Sequence, residues 1–148
     1  MKQSKSRLDS RPPRLWTFEK AQAAVPYLCS VTRSLREHYL EILAKRREAQ
    51  LFTERQGQPD RRALIEEQEA RRDLEKAEQD YQDALEELGE LSVRPLDPGQ
   101  GTALVPFSQH HQLAWYVFDP SDSQPIRSWR YHSDPDETRR ALTAPQTC

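Results

Sequence analysis

A chain of 148 residues that is 35% hydrophobic and 31% charged, with a mean hydropathy of -0.97, has room for one domain with tails. Its apolar share suits a narrow helix–helix seam better than a broad multilayer core. A net charge of -2 and a pI near 6.1 lack the basic footprint of a general nucleic-acid binder, and no apolar run approaches the ~20 residues of a membrane span.

Residues 1–14 hold five Lys/Arg against one Asp and include Pro12-Pro13, so they read as a disordered basic arm. A long helical pattern opens at Thr17, whose hydroxyl suits an N-cap, with Glu19 near the positive helix end. Leu15 or Trp16 would fold onto Ala21 as a hydrophobic staple. Pro26 falls inside this pattern and predicts a bend, or a short first segment split from a longer second one. Apolar residues then recur at Leu28, Val31, Leu35, Tyr39 and Ile42, the spacing of a helix burying one stripe. Gly57 suits the cap at its end.

Gln56-Gly57-Gln58-Pro59 separates this helix from a second, which starts near Asp60 and carries its stripe at Leu74, Ala77, Tyr81, Leu85 and Leu88. From Arg61 to Glu90 there are eleven Asp/Glu and five Lys/Arg, which read as a solvated face. The short connector makes the pair an antiparallel, coiled-coil-like hairpin, a rod of ~45 Å per helix. Such a rod covers only part of its own stripe. A second copy, another protein or the C-terminal segment has to cover the rest, and a homodimer burying Leu35, Ile42, Leu74 and Tyr81 is the expected solution.

After Gly89 the composition changes, with Pro95, Pro98, Gly99 and Gly101 marking a turn-rich connector. Three strand-like runs follow, Thr102–Phe107, Gln112–Phe118 and Ile126–His132, the last two joined by the turn residues Asp119-Pro120-Ser121-Asp122-Ser123. The predicted fold is therefore α+β: a long two-helix hairpin followed by a small two- to three-stranded antiparallel sheet. Its organisation is a disordered arm over 1–14, one domain over 15–133 and a flexible tail over 134–148, with one helical turn at Arg139-Arg140-Ala141-Leu142.

The run Trp16-Thr17-Phe18-Glu19-Lys20-Ala21 through Val25-Pro26-Tyr27-Leu28, then Leu85-Glu86-Glu87-Leu88-Gly89, Ala114-Trp115 and Ile126-Arg127-Ser128-Trp129, resembles a bacterial domain-of-unknown-function family, number 2203. The resemblance covers about residues 15–132. It departs from the family pattern at Ala114, where members carry Cys, at Arg130, where they carry His, at Phe118-Asp119, where they carry Gly-Glu, and over Gly101–Phe107. The chain is thus similar to a degenerate member. The resemblance implies a fold and no activity, and any polar site of typical members would be largely lost here.

The chemistry-bearing residues are few. Four glycines and no Gly-Lys-Ser/Thr exclude a phosphate-binding loop, and neither a Gly-x-Ser-x-Gly nor a Cys–His pairing is present. Cys29 reads as a small core residue and Cys148 ends the chain, so no disulfide framework is expected and the default setting is reducing and cytoplasmic. His110, His111 and His132 with Asp119 are the weak candidates for a metal site or a metal-dependent enzyme. Adjacent histidines on a strand point to opposite faces unless they sit in a turn, so exposed loop histidines are the simpler reading, with no metal and no cofactor.

Trp115, Tyr116, Phe118, Trp129 and Tyr131 fall within 17 residues, with Arg127 and Arg130 interleaved. Trp115 and Trp129 read as the core of the sheet against the helices. Tyr116, Arg127, Arg130 and Tyr131 are the candidate partner-binding residues on the outward face, of the types that dominate protein interfaces. The expected function is a non-enzymatic protein–protein interaction or scaffold protein with an unidentified protein partner. The alternatives are the metal protein and a regulatory nucleic-acid binder using the basic arm.

Overall fold

The computed structural model describes residues 14–54 and 60–142. The expected Gly57 cap, the basic arm up to residue 13 and the chain from 143 onward lie outside the described residues. Among the described residues, three helices, α1 (Phe18–Ala23), α2 (Val25–Glu54) and α3 (Arg61–Glu90), precede five strands: β1 (Arg94–Asp97), β2 (Thr102–Gln109), β3 (Gln112–Phe118), β4 (Ile126–Tyr131) and β5 (Arg140–Ala141). The chain is α+β, a helical hairpin followed by an antiparallel sheet.

Local chemistry sets each helix boundary. The Thr17 hydroxyl accepts from the Lys20 amide at 3.1 Å and Asp60 accepts from the Ala63 amide at 2.8 Å, so each satisfies a first-turn donor. The break between α1 and α2 falls at Ala24, and Pro26 then occupies the first turn of α2, where its missing N–H costs no helical bond. Helix α3 runs through Gly89 and ends one residue beyond it. Its left-handed residue is Ser92 at φ 62°: the Ser92 amide donates to the Gly89 carbonyl and the Val93 amide to the Leu88 carbonyl. That is a Schellman ending, and its usual apolar contact is supplied by Val93 and Leu88, both buried.

Helices α2 and α3 lie antiparallel, since Tyr27 meets Glu87, Tyr39 meets Tyr81 and Lys45 meets Asp73. Leu28, Val31, Leu35 and Ile42 of α2 are buried opposite Ala70, Ala77, Ala84 and Leu88 of α3. Alanine at a strict seven-residue interval lets the backbones approach closely, so a single leucine stripe nearly fills the seam. Leu35 and Ile42 are thus buried inside one chain and are not free to form the dimer face expected of them, while Leu74 and Tyr81 are half-buried.

The sheet has the order β1-β2-β3-β4-β5, five strands rather than two or three. The two unexpected strands are its short edges. Strand β1 carries Pro95, a residue that cannot donate to a ladder and so suits an edge, and a register shift between Pro95 and Asp97. Strand β5 is the segment read as a helical turn, and pairing to Ser128 and Trp129 overrides its weak local preference. The expected tail is accordingly pinned as far as Leu142, whose amide donates to the Arg127 carbonyl at 3.0 Å.

One face of the sheet, with Ala103, Val105, Phe107, Ala114, Tyr116, Phe118 and Ile126, joins Leu28, Val31, Leu35, Ala84 and Leu88 in the main core. Trp16 closes this core. Its amide donates to the Pro106 carbonyl and its indole to the Leu91 carbonyl, so it clips onto β2 and the end of α3 rather than stapling only to α1. The main core reaches α2 as far as Leu35 and α3 from Tyr81 onward, and the β1–β2 turn reaches one turn further along α2, the Gly99 carbonyl accepting from Arg36 Nε at 2.9 Å with Gly99 beside the Tyr39 ring. Beyond Tyr39 the described contacts of α2 are with α3.

Candidate interaction surfaces

The aromatic strand face divides between the two sides of the sheet. Residue β3 Tyr116 pairs with β4 Trp129, and Trp115 pairs with Arg130. Tyr116 is 5% exposed and turned toward the helices, stacked on Phe107 at 3.9 Å and edge-on to Phe18, and burial pushes its phenol pKa up. Trp129 lies half-buried on that same side, edge-on to Phe107. Trp115 is instead buried on the opposite side, in a second small core with Leu104 and Val117 flanked by Leu96 and Leu113. The expected pairing of Trp115 and Trp129 in one core is therefore corrected, because neighbours on a strand alternate faces and β3 is apolar on both.

The other three candidate partner-binding residues are also separated. Arg127 is exposed and paired with Asp122 at 2.9 Å. Arg130, expected to be outward, is 6% exposed; its Nη1 donates to the carbonyls of Tyr131 and Asp134, each at 3.2 Å. Its Nη2 lies 3.4 Å from Asp136, and its Nε finds no partner among the described residues. Arg130 thus pins the loop between β4 and β5 by its carbonyls. Tyr131 is half-buried, edge-on to Trp129 at 4.9 Å and beneath the Arg140 guanidinium, also at 4.9 Å. Tyr116, Arg127, Arg130 and Tyr131 do not share one exposed face.

Arg140 is held by Asp134 through two bonds of 2.9 and 3.0 Å, and Asp134 also accepts from the Tyr131 amide at 2.8 Å. The Arg140 hydrogen bonds, then the Tyr131 amide and the nearby guanidinium charges, hold the Asp134 carboxyl below its ordinary 3.8, against partial desolvation. A depressed carboxylate stabilises the fold above its unfolded value and loses that contribution as pH falls through the folded value. The Asp134–Arg140 pair should therefore stay closed from neutrality down to the ordinary carboxylate range and release only below it. Trp129 and Tyr131 side-chain NMR shifts, titrated in wild type and Asp134→Asn, check this. The variant should show the released shifts already at neutral pH, and release in the wild type near pH 6 would contradict it.

The metal candidates lie apart. His110 and His111, at φ 52° and 65°, form the two-residue turn of the β2–β3 hairpin between the paired Gln109 and Gln112. Asp119 sits past the far end of β3 and is engaged by Ser121, accepting from its amide and its hydroxyl. His132 accepts from the Trp115 indole at 3.1 Å through Nδ1. Among the described residues no three His, Cys, Asp or Glu side chains come close enough together to hold a metal ion. No helix among them is long and apolar enough to cross a membrane.

The exposed large apolar residues concentrate instead on the rod. Leu40, Leu43 and Leu51 of α2 and Leu64 and Ile65 of α3 are exposed, between 40% and 55% each. At 3.6 residues per turn, Leu40, Leu43 and Leu51 fall on one face of α2, about opposite Leu35 and Ile42. Arg33, Arg36 and Arg47 fall on that face too. The periodicity that marks the buried stripe hides this second one, although the positions of Leu40, Leu43, Arg47 and Leu51 are plain on a helical projection.

Beside it, between the helices, an open groove of about 370 Å³ has Leu51, Phe52 and Ala70 in its lining and Glu48, Glu66, Glu69 and Asp73 around it. Lys45 bridges the helices here, 3.5 Å from Glu48 and 4.0 Å from Asp73. Comparison with protein-family models, curated proteins and solved structures finds no match for this chain. The resemblance to the family of unknown function rests on the quoted residues alone.

Proposed function

We propose that the chain is a non-enzymatic interaction or scaffold protein whose binding element is the part of the helical rod beyond the sheet. The observation that carries this reading is the set Leu40, Leu43, Leu51, Leu64 and Ile65, exposed on a stretch that the sheet does not cover. Exposed leucines clustered on one helix, rather than scattered singly, mark contact surfaces in soluble proteins. The sheet end is its rigid anchor, fastened by Trp16, Arg130 and the Asp134–Arg140 pair. Half-buried Cys29, packed against the core as a free thiol, fits work in a reducing, cytoplasmic setting.

Site-specific photo-crosslinking in the native cell tests the assignment. A crosslinker at Leu43 should give discrete adducts of defined mass, while the same group at exposed Ser133, beyond β4, should not. Adducts at Ser133 and none at Leu43 would overturn it.

A further inference from the structure

The rod displays two surfaces of opposite character side by side. The outer face of α2 carries leucine and arginine, Arg33, Leu40, Leu43, Arg47 and Leu51, with the Glu54 carboxylate at its end beside Arg47 and Leu51; neither Arg33 nor Arg47 has an ionic partner among the described residues. The adjoining groove is apolar with carboxylates around it, and Glu66 and Glu69 there also have no ionic partner among the described residues. Charge follows the same division, since α2 holds five Lys/Arg and four Asp/Glu while α3 holds five and eleven.

We propose that the rod binds a second copy of this chain, the arginine–leucine stripe of one copy lying over the acidic groove of the other. This rests on the reading of the rod as a binding element and names its partner. Leu51 belongs to both the stripe and the groove, so a two-fold axis running along the rod beside Leu51 places the Arg47–Leu51 end of each copy's stripe on the other's groove. Both contacts then form at once, as an isologous dimer requires. The leucines lose water against Leu51 and Ala70, and Arg47 meets Glu69 of the partner. The complementary charges set orientation and register, the part of recognition that electrostatics governs best.

Sedimentation of the full chain at tens of micromolar should show a dimer, weakened by raised salt because the arginine–carboxylate contacts are screened. Arg47→Glu and Glu69→Arg should each weaken dimerisation by at least about tenfold, as each sets like charges together twice per dimer. Both positions are exposed, so circular dichroism and melting measured at dilutions that keep the chain monomeric should not change. An equimolar mixture of the two variants restores opposite charges at both contacts and should dimerise like wild type.

A wild-type monomer overturns the proposal, as does a dimer indifferent to both variants or one not rescued on mixing. A monomer retained by vesicles containing anionic lipid assigns the stripe to a membrane surface instead. A monomer that still gives adducts from position 43 to another protein overturns the dimer and leaves the binding rod standing. Absence of all adducts removes both.

Discussion

Trp115→Ala is expected to lower unfolding stability by about 3–5 kcal/mol, the range for deleting a buried large aromatic. Trp115 is 1% exposed, yet it lies on the side of the sheet that faces away from the helices. Its burial is built from the sheet's own side chains. Leu104, Val117, Leu96 and Leu113 surround it, the Arg94 guanidinium sits 5.0 Å over its ring, and His132 accepts from its indole. Removing the ring empties that small core and leaves Arg94 without its stacking partner. Trp115→Phe keeps most of the packing and loses the indole hydrogen bond, which is worth about 1 kcal/mol. Urea unfolding followed by circular dichroism measures both. A loss under about 1 kcal/mol for the alanine variant would mean that the outer face is not a second core.

At dilutions that keep the chain monomeric, Leu35→Ala should cost about 2–5 kcal/mol, whereas Leu43→Ala on the same helix should stay within about 0.5 kcal/mol. The residue type is the same and the positions are eight apart. Leu35 is 1% exposed where the hairpin seam meets the sheet, against Ala84 and Leu88, and its loss leaves a cavity that a backbone-close alanine seam cannot fill. Leu43 is 43% exposed and removes little buried area from one chain. The same unfolding curves decide the matter. Equal costs at that dilution would mean that the rod's outer face is covered within a single chain.

Much of the helical half was legible in the residues. Thr17 and Asp60 carry side chains that bond free amides three residues on, so they mark helix starts without help from elsewhere. Pro26 forces a discontinuity through its own ring, and threes and fours of apolar residues dictate which side of α2 is buried. The candidate site was less legible. The residues of β3 and β4 do not reveal that Tyr116 and Arg130 are buried, because a strand's alternation gives two faces without labelling either, and β3 is apolar on both.

By itself, then, the sequence determined what depends on near neighbours: the caps, the helix break, the hairpin, the main runs of β2, β3 and β4, and the turn after Asp119. Only the tertiary structure decided which face of β3 meets the helices, because that depends on Phe107 stacking on Tyr116 across the sheet and on Phe18 arriving from α1. It also decided the edges. Arg94–Asp97 and Arg140–Ala141 are too short and too polar to favour a strand alone, and they become strands because β2 and β4 offer unpaired backbone groups that must be satisfied. Arg130 is buried for the same kind of reason: the loop carbonyls it binds are brought to it by the pairing of β5, ten residues further along the chain.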